Sequence, residues 1–145
     1  MKITIQDLPD GEEEEIIIRC RGMDEQLMKL VYALRAGREK LTVSREDRLF
    51  QISPSSVYYF EAVDNKVFAY LDKDVYETKY KLYELEDKLF GTDFFRASKS
   101  TVVNLAMVES LSPAFNGRFE ARMKNGERLI ISRQYVPVLK EKLGL

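Results

Sequence analysis

The chain has 145 residues, 45% hydrophobic and 11% aromatic, which suits one domain with a buried core and excludes wholesale disorder. No apolar run reaches the roughly 18 residues of a membrane span, and the absence of histidine removes the usual general base, zinc ligand and nucleophile partner. The net charge of −1 is unevenly divided: residues 1–93 carry 14 Lys/Arg against 20 Asp/Glu, and residues 94–145 carry 9 against 4.

The start, MKITIQDLPDGEEEE, turns acidic before a secretory apolar stretch can form, and a lone cysteine excludes an internal disulfide. Both features point to the cytoplasm. Alternation in KITIQDL (2–8) predicts a strand, PDG a turn, and EEEEIIIRCR (12–21) a solvated approach to a second strand. Cys20 reads as a small core or near-surface residue ahead of any redox or metal role. In GMDEQLMKLVYALRAG (22–37), Leu27, Leu30, Val31 and Leu34 recur at helical spacing, with Asp24 as N-cap and Gly37 just past the end.

From residue 39 the pattern becomes short alternating strands, KLTVS, RLFQIS, SVYYFEAV and KVFAYL, rich in β-branched and aromatic residues. Asp64 and Asn65 turn the third into the fourth, and LDKDVYE (71–77) reads as a hairpin around Lys73. Asp72 and Asp74 there suit turn chemistry better than a metal. YKLYELEDKLFG (80–91) predicts a helix with Leu82, Leu85 and Leu89 on one face. Beyond it, Asn-Gly pairs at 116–117 and 125–126 sit between alternating runs, the signature of hairpins, and Pro137 marks the start of a last helix. The order is β-β-α, four or five strands, a short helix, three or four strands and a closing helix. Without long crossover helices the sheet is expected to be antiparallel and the fold mostly β, a β-rich α+β class.

FFRASKSTVVNL (94–105) brackets cations and small hydroxyls between apolar anchors. Lys99 lies between Ser98 and Ser100, a set suited to phosphate contact, and the flanking Phe94, Phe95, Val102 and Val103 can hold that loop still. The alternative is an exposed lysine in a polar turn. Arg133 follows a strand and precedes a helix; its fork can take guanine O6 and N7 together, or pair with Glu141 or Glu127. Arg96 suits a structural salt bridge or a DNA contact equally, and Asn104 a backbone-bonding turn. The basic C-terminal third supports an anion-binding face, with chance clustering as the competing explanation.

These segments resemble the LytTR family of bacterial DNA-binding domains. Phe95, Arg96, Lys99, Ser100, Val103, Asn104, Asn125, Gly126, Ser132, Arg133 and Tyr135 occupy the places of its spaced motifs, and VYYFEAVDNKVFAYL (57–71) is similar to its earlier strand pair. The match spans roughly residues 45–145, with one departure: Ser98 stands where a histidine is common. The resemblance implies an elongated antiparallel β-fold, with short helices, whose loops reach DNA. It also implies a sequence-specific transcription regulator, with contacts at Asn65 or Lys66, at Ser98, Lys99 and Ser100, and at Arg133. Residues 1–44 are then an accessory strand–helix element, too short for a phosphoacceptor domain. That suggests the standalone kind of regulator, some of which are restrained by small membrane proteins. Promoter repeats and a homodimer are the expected assembly, with no cofactor or metal. The competing class is a protein-interaction or dimerisation module in which DNA binding is secondary. An enzyme would need a catalytic constellation, and SxxK, GxSxG and GxxxxGK[ST] are all absent.

Overall fold

The computed structural model describes residues 1–36 and 39–145. Ten strands and three short helices form α1 (Glu25–Ala36), β1 (Leu41–Arg45), β2 (Arg48–Ile52), β3 (Tyr59–Val63), β4 (Lys66–Tyr70), β5 (Val75–Thr78), α2 (Leu82–Lys88), β6 (Phe94–Arg96), β7 (Thr101–Asn104), β8 (Val108–Pro113), β9 (Phe119–Met123), β10 (Arg128–Ile131) and α3 (Val136–Lys142). A seven-stranded sheet runs in the order β2-β1-β5-β4-β3-β7-β6 and a three-stranded sheet in the order β10-β9-β8. Every strand pair is antiparallel. The β-rich expectation holds.

Turn chemistry sets the registers. Glu46 and Asp47 between β1 and β2, and Asp64 and Asn65 between β3 and β4, all take positive φ, the two-residue turn whose twist matches paired strands. The tip after β9 differs: the Gly126 N–H donates to the Met123 carbonyl at 2.9 Å, and Met123 N–H to Glu127 at 2.8 Å, enclosing three residues with Gly126 at φ +91°.

The period of two along central strands divides the core into two layers. Phe60, Phe94 and Val102 face one way, onto Leu82, Leu85 and Leu89 of α2. Their neighbours Tyr59, Phe95 and Val103 face the other way, onto Ala121, Met123 and Ile131 of the small sheet and Val136 and Leu139 of α3. The large sheet is therefore covered on both sides over β3, β7 and β6. Both phenylalanines of the 94–105 segment are core anchors, one in each layer.

The amino-terminal segment departs from expectation. Residues 2–8 and 12–21 form no strand, and Ile3 and Ile5 are 84% and 90% exposed. The two segments flank a turn where Glu12 N–H donates to the Pro9 carbonyl, and residues of both line a cleft together with Leu27 and Leu30 of α1. Alternation defines which face is apolar, but a strand also needs a neighbouring ladder, and this pair has none. Asp24 caps α1 as expected, accepting from Leu27 N–H at 2.8 Å; the expected role of Gly37 lies outside the described residues. The strand β1 crosses the expected 44/45 boundary, so the large sheet begins at Leu41. The helix α2 is shorter than the 80–91 periodicity suggested.

Candidate nucleic-acid interface

The loop Ala97–Ser100 joins β6 to β7 and is held from beneath by Arg96. The Arg96 guanidinium donates to Glu86 of α2 at 2.8 Å, to the Ser98 carbonyl at 2.7 Å and to the Lys99 carbonyl. One side chain thus satisfies two loop carbonyls and an acid, a geometry that suits a planar fork with fixed donors. Of the two roles open to Arg96, the structure shows the internal one.

Further bonds fix the loop. The Ala97 N–H donates to Thr101 and the Ala62 N–H, at the end of β3, to Ser100. The Ser98 hydroxyl shares a hydrogen bond with Thr101 Oγ1 at 2.5 Å and accepts from Ser100 N–H at 3.2 Å. Half-buried Ser98 is therefore occupied in shaping the turn, whereas Lys99 and Ser100 are exposed at its tip. Asn104, 2% exposed, anchors the far end: its Nδ2 donates to the Val57 carbonyl at 2.9 Å, and its Oδ1 accepts from Ala106 N–H.

Two neighbours extend this loop into a stripe. On one side, Asn65 and Lys66 at the β3–β4 turn share a shallow cleft with Lys99, Lys81 and Tyr83. On the other, the Ser132 N–H and hydroxyl both donate to the Ala97 carbonyl, at 2.9 and 3.1 Å, which docks the entrance of α3 onto the loop. Arg133 follows immediately, in a 3-10 turn (Arg133–Tyr135) that leads into α3. A second cleft, lined by Asn116, Arg118, Ser132, Arg133 and Gln134, continues beyond it. Asn65, Lys66 and Lys99 thus line one cleft and Arg133 another, and the Ser132–Ala97 bonds tie the loop that carries Ser98, Lys99 and Ser100 to the element that carries Arg133.

The same two clefts are also lined by Lys81, Tyr83, Arg118 and Gln134, which sequence reasoning did not single out. Arg118 had a signal, as a cation immediately after an Asn-Gly turn in the basic third of the chain. Lys81 had none, because its proximity to Lys99 arises only through folding. Among the described residues, Lys66, Lys81, Lys99, Arg118 and Arg133 take part in no salt bridge. Glu127 and Glu141 therefore do not neutralise Arg133. Away from the stripe, Asp74 serves Arg45, which it meets at 2.9 Å, as turn-proximal structure.

The model of the LytTr DNA-binding domain matches residues 47–144. A solved LytTr DNA-binding domain from Bacillus cereus superposes with a TM-score of 0.70 at 29% identity, covering 75% of this chain and all of that one. The sensory transduction protein LytT of Enterococcus faecalis is 30% identical over 107 residues, 74% of this chain and 44% of the relative. LytT of Bacillus subtilis is 30% identical over 94% of this chain and 58% of its own length, so the chain spans about half of these relatives. An uncharacterised HTH-type transcriptional regulator of Staphylococcus aureus is 27% identical over 100% of this chain and 99% of its own. With its motifs, its sheet order and these matches in agreement, the chain belongs to the LytTR family of DNA-binding domains.

Proposed function

We propose that this chain is a sequence-specific transcription regulator that lays the stripe from Lys81 to Arg118 along promoter DNA, two protomers occupying repeated half-sites. The observation that carries this reading is the row of exposed cations that, among the described residues, have no salt-bridge partner, with the Lys99 loop tightly braced by Arg96. Bracing lowers the ordering cost of binding, so more of each contact appears as affinity. Arg133 is suited to a base edge, because its fork can satisfy two acceptors at once. Lys99 and the Ser100 hydroxyl are suited to phosphate, Ser98 to shaping their turn, and Asn65 with Lys66 to a third contact. No catalytic step belongs to this reading.

Duplexes selected from a random pool, then titrated in mobility shifts against a scrambled competitor, test it. The expected preference is roughly a thousandfold or more at moderate salt. Equal affinity for selected and scrambled duplex would end the specific-regulator reading.

A second reading concerns residues 1–44 and rests on the exposure of Ile3, Ile5, Ile16 and Ile17. Such apolar arms suit self-association or docking to a partner, a small membrane protein included. Sedimentation of the full chain and of a chain lacking residues 1–36 tests self-association. Identical monomeric behaviour would dismiss it.

A further inference from the structure

The turn after β8 underlies Arg133. Asn116 and Gly117 take φ of 60° and 72°, and the Ala114 N–H closes the loop onto the Arg118 carbonyl at 2.8 Å. The Arg133 stem lies across Gly117. A methyl built on that glycine would sit 2.9 Å from Arg133 Cδ and 3.0 Å from Cγ. Ordinary carbon contact is about 3.5–4.0 Å, so the stem would have to move by roughly 0.5–1 Å. Gly126 has the same left-handed backbone, at φ +91°, with nothing within 4 Å of such a methyl. Among the described glycines, only at Gly117 does the missing side chain make room for the Arg133 stem.

Resting on the reading of Arg133 as a base-edge contact, we infer that the 115–118 turn is a further DNA-contacting element. Gly117 is a positioning residue that gives the Arg133 stem a flat floor, and Arg118 takes a backbone phosphate beside the base pair that Arg133 reads. A bidentate fork is orientation-sensitive, and a displacement near 1 Å is enough to loosen it. Arg118 is exposed, in no salt bridge among the described residues, and lines the same cleft as Arg133 and Gln134. As a lone cation at a turn tip it suits sequence-blind phosphate contact.

The experiment compares Gly117→Ala with Gly126→Ala, which carries left-handed strain of the same kind away from Arg133. Two measurements are made on each full-length variant: the Arg133 side-chain Nε–Hε resonance without DNA, and affinity for the selected duplex and its single-base variants. Gly117→Ala should shift that resonance, weaken selected binding on the order of tenfold and relax preference at the base pair that Arg133→Ala relaxes. Gly126→Ala should do none of these. In an Arg133→Ala background, Gly117→Ala should cost no further affinity. Arg118→Ala should weaken all duplexes alike and flatten the salt slope by about one.

An equal binding loss in both glycine variants, or a further loss in the Arg133→Ala background, overturns the positioning role. An Arg118→Ala variant with parental affinity and slope overturns the phosphate contact. If the parent binds no duplex selectively, the regulator reading fails and this extension of the interface fails with it. The DNA-free resonance still decides separately whether Gly117 seats the Arg133 stem.

Discussion

Arg96 and Lys99 are three residues apart and both cationic, yet the fold assigns them opposite tasks. Arg96 turns inward to Glu86 and two loop carbonyls, while Lys99 stays exposed and without an ion pair among the described residues. Charge-assisted bonds to backbone are individually worth roughly 1.5–3 kcal/mol, reduced here because the loop is partly solvated. Arg96→Ala should therefore lower stability by about 2 kcal/mol, and Glu86→Gln by under about 1 kcal/mol, since it leaves both carbonyls satisfied. Urea melts measure both. Lys99→Ala and Arg133→Ala should stay within about 0.5 kcal/mol of the parent. An Arg96→Ala chain as stable as its parent would mean that the clamp does not hold the loop. Tyr59 carries a different expectation. It stacks on Tyr70 at 4.4 Å, and burial first, then the Glu127 carboxylate, push its phenol well above the usual value of 10.0. With the folded value raised, that group's contribution is fully present below about pH 10 and is lost as pH rises further. Urea melts from about pH 9 to 11 should show declining stability, with a shallower decline in Tyr59→Phe. Tyr70, also raised, keeps the slope from vanishing. An unchanged slope in Tyr59→Phe would assign the pH effect elsewhere.

The helix α1 is attached at few points. Tyr32 meets Phe90 edge-on at 5.6 Å, and the Lys29 carbonyl oxygen lies 2.5 Å from where a Cβ on Gly91 would stand. Among the described residues, the buried hydrophobic core begins at Leu41. Removing residues 1–36 should leave the β circular-dichroism signal and cooperative melting intact. Loss of the folded signal would make the segment core and not accessory. Gly91→Ala should release α1, raising hydrogen exchange there while β3, β4 and β7 keep their protection, because the weaker attachment gives way first. The contrast between this segment and the sheets shows what is legible in a sequence. Strands β1 to β4 and the hairpins of the small sheet are readable because period-two patterning and turn residues agree with the ladders they form. KITIQDL has the same alternation but no ladder, and pattern alone does not supply one. The choice between roles for Arg96 is undecidable from sequence, since Glu86 lies ten residues back on another element and the two carbonyls converge only in the folded loop.

At the scale of the whole molecule, a chain of net charge −1 gains nothing from its total charge when it approaches DNA. Screening resolves the conflict: at physiological salt the Debye length is about 8 Å, so a phosphate responds to the cations it touches and not to distant glutamates. Two clefts joined through the Ala97–Ser132 bonds gather Lys66, Lys81, Lys99, Arg118 and Arg133, drawn from a β-turn, the start of α2, the β6–β7 loop, the β8–β9 turn and the entrance of α3. Only the packing of both sheets against one another brings those five elements into line. Each neutralised phosphate contributes roughly −0.9 to the slope of log K against log salt. The four phosphate-facing cations, Lys66, Lys81, Lys99 and Arg118, give about −3.6 per protomer, and about twice that for two protomers on repeated half-sites. Titrations of selected and random duplex across a series of salt concentrations measure it. Single alanine changes at Lys66, Lys81, Lys99 and Arg118 should each remove about one unit, whereas Arg96→Ala, lacking a phosphate of its own, should leave the slope nearly unchanged while lowering affinity. A parental slope near −1 would mean that DNA meets some other surface, and the alignment of these five cations would then need a different explanation.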